Sequence, residues 1–256
     1  MHPNEPPLKR QKRLSCHPFD RDQPLPDAKE RARLLALDQD GPEWAEERKR
    51  RMGASSCSCC AGLGPATPRD YWRLKTHRIE REDWPEGERI MQRGHTLEPV
   101  AADAYEKLMQ SGPLVQVGIV VHPTIPWIHC SPDRLIRDNP RGIVEIKCPV
   151  YGLPVRIPDK YMCQVQQQME VLDVDWCDLF YYYHDDEHDR MAGVKCWRIW
   201  RNRDYWDVML RGMRAMADCL MEDRCPTEKD IPLRPRMPDV GTKLVLERDF
   251  PVSTAA

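Results

Sequence analysis

Gly142-Ile143-Val144-Glu145-Ile146-Lys147-Cys148-Pro149 constrains the fold of this 256-residue chain more than any other segment. Its β-branched residues favour a strand, and successive side chains of a strand leave opposite faces. Val144, Ile146 and Cys148 therefore enter a core together, while Glu145 and Lys147 share the other face. Upstream, Ser131-Pro132-Asp133-Arg134-Leu135-Ile136 places an aspartate at the start of another strand, and Asp138-Asn139-Pro140-Arg141-Gly142 supplies a turn between the two. A hairpin of this kind sets Asp133 alongside Glu145.

A glutamate and a lysine alternating on a strand are common gatekeepers of a solvent-facing edge. The nearby aspartate is what turns the pattern towards chemistry. Asp133 and Glu145 can share one divalent cation, with the Ile146 carbonyl as a further oxygen ligand. Oxygen donors without histidine or cysteine favour magnesium, with manganese able to substitute, over zinc. An ammonium at Lys147 would stabilise the negative charge that grows on a phosphodiester as water attacks it. A lysine with a depressed pKa can also position or deprotonate that water, which an arginine cannot, and both roles are open to Lys147.

Composition bounds the rest. There are 39 basic and 41 acidic side chains, a formal charge of -2, so any affinity for a polyanion rests on local clusters. The length suits one domain: a disordered basic, Pro-rich arm over 1–26, a single domain over 27–230 and an extended tail over 231–256. No apolar run is long enough to span a membrane and no signal-peptide pattern opens the chain, so an intracellular, soluble protein without a membrane partner is expected. Lys9-Arg10-Gln11-Lys12-Arg13 has the composition of a nuclear-import signal, which would place the protein in a host nucleus, and also that of a solvated tail. Eleven cysteines, an odd count, read as reduced thiols, and the C-x-x-C of Cys57-Ser58-Cys59-Cys60 lacks the second pair a structural zinc site needs.

Along the chain, Asp27 caps a helix carrying Leu34 and Leu35, and Pro42 opens a second helix running to Arg50. Small residues from Gly53 to Gly64 form a turn and a short helix. A long helix over Glu86 to Gln110 is expected to kink or restart at Pro99. Strands are expected over Val115 to Val121, Trp127 to Cys130, Arg134 to Arg137 and Ile143 to Cys148. A helix over Pro158 to Leu172 follows, then strands at Asp178 to Tyr183 and Val194 to Trp200 and a helix over Asp204 to Met221. The order describes an α/β architecture with a sheet between helices.

Three further groups bear on chemistry. Tyr161, Gln164 and Gln168 recur at helical spacing opposite the stripe of Met162, Val165, Met169 and Leu172, and a helix that follows the Glu145 strand can lay this face over a metal. Glu98 stands on the long helix within Arg93-Gly94-His95-Thr96-Leu97-Glu98-Pro99. Arg48-Lys49-Arg50-Arg51 precedes the small turn Gly53-Ala54-Ser55-Ser56, a combination that suits anion binding.

Taken in order, Arg48 to Ser55, Gly94 to Glu98, Ser131-Pro132-Asp133, Glu145-Ile146-Lys147 and Tyr161-Met162-Cys163-Gln164-Val165-Gln166 resemble the lambda-exonuclease-like, YqaJ-type viral recombinase family of PD-(D/E)XK nucleases. The resemblance spans Trp44 to Tyr183. It implies a restriction-endonuclease-like core, a central mixed sheet flanked by helices, and digestion of one strand of linear double-stranded DNA from a 5' end, leaving a 3' strand for a single-strand annealing protein. By that resemblance Asp133, Glu145 and the Ile146 carbonyl bind metal, Lys147 is catalytic, and Glu98 acts at a second metal or through its water. Gln164 matches the family's helix glutamine and Tyr161 its tyrosine neighbour, while Arg48 and Ser55 match residues that grip the terminal phosphate. The family's turn there is richer in glycine and threonine than Cys57-Ser58-Cys59-Cys60. Some members assemble as homo-oligomeric rings of three. The competing readings are an endonuclease or RecB-like nuclease of the same fold, and an inactive DNA-binding scaffold; for the RecB-like reading Cys196, Cys219 and Cys225 have the wrong spacing for an iron-sulfur cluster.

Overall fold

Strand β6 (Gly142–Lys147) lies inside a six-stranded mixed sheet, ordered β2 (Leu114–Val115), β5 (Arg134–Ile136), β6, β7 (Trp176–Asp185), β8 (Arg190–Trp200) and β9 (Thr242–Asp249), in the computed structural model, which describes residues 19–77 and 85–250. The basic run Lys9 to Arg13 lies outside those residues. Neighbouring strands are antiparallel except β6 and β7, whose parallel pairing requires the crossover helix α6 (Asp159–Leu172) between them. Register at this pair is set by a close approach: a Cβ added to Gly142 would stand 2.2 Å from the ring of Trp176, its partner on β7.

The two faces of β6 meet different helices. Val144 and Ile146 pack with Phe180, Tyr182 and Val194 against Leu97, Ala101, Ala102 and Tyr105 of α5 (Pro85–Met109). Ile143 packs on the opposite face with Leu179 and Ile199 against Val165 and Met169 of α6. A third core joins α6 to α3 (Cys57–Cys60), α4 (Pro68–Lys75) and α7 (Arg203–Met221), with the small sheet β1 (Met52–Gly53), β4 (Ile128–Cys130), β3 (Val120–Val121) beside them. Near the N-terminus of the described chain, Asp27 caps α1 (Ala28–Leu35) by accepting the Glu30 N–H, and α2 (Pro42–Lys49) opens on a proline that needs no N–H partner.

Four expectations differ from the structure. Helix α5 continues through Pro99 without restarting, because burial of Leu97, Ala101, Ala102 and Tyr105 on both sides of that residue outweighs one lost backbone bond. The expected strand over Val115 to Val121 is two short strands in different sheets, separated where Gly118 passes so close to Leu34 and Leu37 that no Cβ would fit. The arm expected to reach residue 26 is packed from Phe19, which is 3% exposed and meets Trp127 edge-on. In the segment expected as an extended tail, Thr242–Asp249 forms β9 along β8, and Ile231 is buried in the third core. Its exposed positions carry charges such as Lys243, Glu247 and Arg248, which hid the strand from a search for apolar alternation. Every cysteine among the described residues is a free thiol, and Cys57 and Cys60 are buried in the third core.

A buried ion pair lies beside the α5 core. Asp178 on β7, with no exposed surface, accepts two bonds of 2.9 Å from Arg198 on β8 and one of 2.8 Å from the Tyr105 hydroxyl. The Arg198 guanidinium also covers the Trp176 ring at 3.9 Å. Removing the arginine leaves an uncompensated carboxylate, so Arg198→Met should lower unfolding free energy by roughly 3–5 kcal/mol; a urea midpoint equal to wild type would show that the pair does not anchor these strands.

Candidate active site

Glu145 projects from the α6 side of β6 and is 1% exposed. A charge in that position needs donors, and three side chains supply them. Gln164 and Lys147 donate to Oε1, and Gln168 donates to Oε2 at 2.6 Å. Both glutamines belong to α6, one turn apart, so the crossover helix that parallel pairing demands also delivers the amides. The glutamine run is therefore no polar helix surface: Gln164, Gln166, Gln167 and Gln168 are all buried. Gln166 donates to the Trp200 carbonyl and accepts from the Asn202 N–H, and Gln167 donates to the carbonyls of Met52 and His129, which fastens α6 to both sheets.

Asp133 reaches the same spot from β5. Arg134 pairs with Val144, so one further step of the antiparallel register faces Asp133 to Glu145. Its Oδ2 accepts the Ile146 N–H at 2.7 Å. Burial pushes the Asp133 carboxyl well above the usual carboxylate range, and the Glu145 charge adds to the shift. Burial alone would depress the Lys147 ammonium, but the charges of Glu145 and Asp133 outweigh it and its pKa is raised. Lys147 thus holds its proton in this metal-free arrangement. Tyr161 lies under it, with the Lys147 nitrogen 5.0 Å from the ring centre.

Two walls complete the cleft. On α5, Glu98 accepts a 2.6 Å bond from Arg134, which aims it across from Asp133. On the other side Arg48 donates to the Ser55 hydroxyl at 3.1 Å and stacks on Trp44 at 4.1 Å, while Trp44 donates to Ser131 beside the aspartate motif. Of the four basic residues there, Arg48 lines the cleft, Lys49 pairs with Glu46, and Arg51 is buried against Glu47. Arg48, Ser55, Glu98, Asp133, Glu145, Ile146, Lys147, Tyr161 and Gln164 all line one cleft of about 610 Å³. The structure therefore brings these nine residues to one cleft, while Gln168 reaches it only through Glu145 and Lys49 and Arg51 pair elsewhere.

Positioning residues escaped the sequence reading. Arg93 on α5 donates to the carbonyls of Cys148 and His184 and pairs bidentately with Asp186, tying the helix to the end of β6 and to the β7–β8 hairpin. Lys75 on α4 donates to the carbonyls of Arg48 and Arg51 at the end of α2, and burial lowers its pKa to about 8. Helix α4 itself had a signal, the capping box of Thr67 and Asp70. Nothing in sequence spacing marks Arg93 or Lys75, whose partners are backbone carbonyls and, for Arg93, a carboxylate 93 residues away.

The donor set fits a hard divalent cation. Among the described residues no three His, Cys, Asp or Glu side chains converge as a preformed cage. Asp133, Glu145 and the Ile146 carbonyl instead offer a few oxygens at an open cleft, the way magnesium is commonly held, with substrate and water completing its shell. A buried and a half-buried carboxylate side by side, the second already pushed to bind a proton, are the electrostatic condition a cation relieves.

Comparison with known proteins bears on the family and the fold. A sequence model described as the YqaJ-like viral recombinase domain matches residues 43–175. No curated protein matches. An alkaline exonuclease from Laribacter hongkongensis, LHK-Exo, is 25% identical and superimposes with a TM-score of 0.57 over 72% of this chain and 94% of that one. Its complex with dAMP is 26% identical, with a TM-score of 0.51 over 72% and 92%. A phage related exonuclease from Haemophilus somnus 129PT, 13% identical, shares the fold with a TM-score of 0.52 over 67% and 94%. The restriction-endonuclease-like core expected from the sequence is the fold observed.

Asp133 holds its proton more tightly folded than unfolded, so its carboxylate weakens the metal-free protein as pH rises above the ordinary aspartate range. In chelator, Asp133→Asn should be more stable than wild type by about 1 kcal/mol or more near pH 8, the gain shrinking to nothing towards about pH 4. Thermal melts across that range check this, and an equal or lower melting temperature for the variant at high pH would contradict it.

Proposed function

The chain belongs to the family of YqaJ-like viral recombinase domains, and we propose that it is a metal-dependent DNA exonuclease that trims one strand of linear duplex from the 5' end. The observation that carries this reading is the convergence on one cleft of Asp133, Glu145 and Lys147 with the Arg48–Ser55 pair. The first group suits hydrolysis of a phosphodiester; the second suits capture of a terminal phosphate. A relative that is an alkaline exonuclease and whose structure holds dAMP supports the same class of substrate.

Asp133, Glu145 and the Ile146 carbonyl would hold magnesium, or manganese in its place. When bound, the cation supplies Lewis-acid polarisation of the phosphodiester and an acidified water. Lys147, protonated and steadied over the Tyr161 ring, stabilises charge developing on the scissile phosphate. Gln164 keeps the Glu145 carboxylate in orientation. Glu98, held by Arg134, faces the same space from α5 and serves a second cation or its water. Arg48 receives a 5' phosphate with Ser55, and its stacking on Trp44 keeps the guanidinium in place. Stopping the strand end there is what converts phosphodiester cleavage into trimming. The product is a duplex with a 3' overhang, a substrate for a single-strand annealing protein.

End-labelled linear duplex and closed circles, each incubated with magnesium, test the proposal. Linear DNA should be shortened from its 5' ends while circles persist; cut circles would instead establish an endonuclease, and no cleavage of either would leave a binding scaffold. Asp133→Asn, Glu145→Gln and Lys147→Ala should each lower the rate by about 10³-fold or more at unchanged fold, a size typical of lost transition-state stabilisation. Arg48→Ala should slow 5'-phosphorylated ends more than 5'-hydroxyl ends, and equal losses on the two would remove Arg48 from phosphate capture.

A further inference from the structure

Glu145 is gripped from α6 at two heights. Gln164 donates to one carboxylate oxygen and Gln168, four residues on, donates to the other at 2.6 Å. Residues four apart on a helix lie on one face, separated by about 6 Å along its axis. Donors reaching two oxygens from two levels fix the carboxylate's plane, which one donor could not. Neither donor carries charge, so the pair holds Glu145 in place without neutralising it as Lys147 does.

Gln168 is also a poor choice for packing alone. It has no exposed surface, and its Oε1 has no hydrogen-bond partner within the protein. An orphaned buried oxygen costs about 1–3 kcal/mol, which a leucine of similar volume would avoid. Gln166, two residues earlier, uses both ends of its amide, donating to Trp200 and accepting from Asn202. The contact that sets Gln168 apart is its bond to Glu145.

We infer that Gln168 is a positioning residue which, with Gln164, clamps the Glu145 carboxylate in the orientation that receives a divalent cation. This rests on the metal-dependent reading of the cleft. Gln168 acts through Glu145 and touches neither substrate nor metal. Its loss should therefore weaken metal binding while leaving the metal-free fold intact.

The test is Mn²⁺ binding by titration calorimetry, on metal-free and DNA-free protein, for wild type, Gln168→Leu and Gln168→Asn. Leucine removes the donor; asparagine keeps a buried amide but is one methylene too short to reach Glu145 Oε2. Both variants should bind Mn²⁺ roughly 10-fold or more weakly, the usual size for a lost partner of a metal ligand. The metal-free melting temperature of Gln168→Leu should lie within a few degrees of wild type, relief of the orphaned Oε1 offsetting the donor lost at Glu145 Oε2, and raised Mn²⁺ should restore much of the variants' kcat. Wild-type Mn²⁺ affinity in Gln168→Asn would overturn the clamp, whether or not Gln168→Leu folds. Absence of Mn²⁺ binding by wild type itself would overturn the metal reading and the clamp together, and so separates the two failures.

Discussion

A carboxylate buried in a sheet is the constraint on which this structure turns. Glu145 has almost no exposed surface, and a charge so placed is tolerated only with donors around it. Lys147 comes from the same strand, two residues on; Gln164 and Gln168 must come from elsewhere. Their arrival requires a helix pressed against β6 along a polar face, and that requirement explains an otherwise improbable segment, four glutamines buried within five residues. The remaining two glutamines bond to backbone carbonyls on either side, so the helix that serves Glu145 is itself locked.

The sheet divides the labour between its faces. On the α5 side Val144 and Ile146 build an apolar layer, reinforced by the Asp178–Arg198–Tyr105 network, where a second buried carboxylate is fully matched by donors. On the α6 side the carboxylates of Asp133 and Glu145 face one another with the Lys147 ammonium bonded to Glu145, and burial, to which the Glu145 charge adds, raises the Asp133 pKa. Matched charge on one face holds the strands together; on the other the two carboxylates line the cleft. Arg51 is buried against Glu47, whereas Arg48 lines the cleft.

Much of this was legible because it is local. Alternation in Gly142 to Cys148 predicts which side chains share a face, and the turn after Asp138 predicts the hairpin that sets Asp133 by Glu145. Helices with a cap, a leading proline or an apolar stripe, such as α1, α2, α6 and α7, fall within a few residues of expectation. Strand β9 was missed because an edge strand is charged and carries no burial pattern, and unbroken α5 because a proline's local penalty was weighed without the packing around it. Phe19 was counted with the arm since a single aromatic shows no period; only its seat on Trp127 reveals its part in the core.

Residue types and spacing by themselves determined the strand, the carboxylate pair, the lysine and the membership of Arg48, Ser55, Glu98, Tyr161 and Gln164 in an ordered set. The first three follow from the two-residue period of a strand and the chemistry of the side chains; the ordered set follows from the resemblance of its motifs to a known family. Tertiary structure alone decided how the set is held: Gln168 on the second oxygen of Glu145, Arg134 on Glu98, Trp44 under Arg48, Arg93 across the end of β6 and Lys75 at the end of α2. Such partners lie far apart in the chain and often bond to backbone carbonyls, which every residue possesses. A donor's target is therefore invisible in sequence until the fold has brought a particular carbonyl or carboxylate within reach of it.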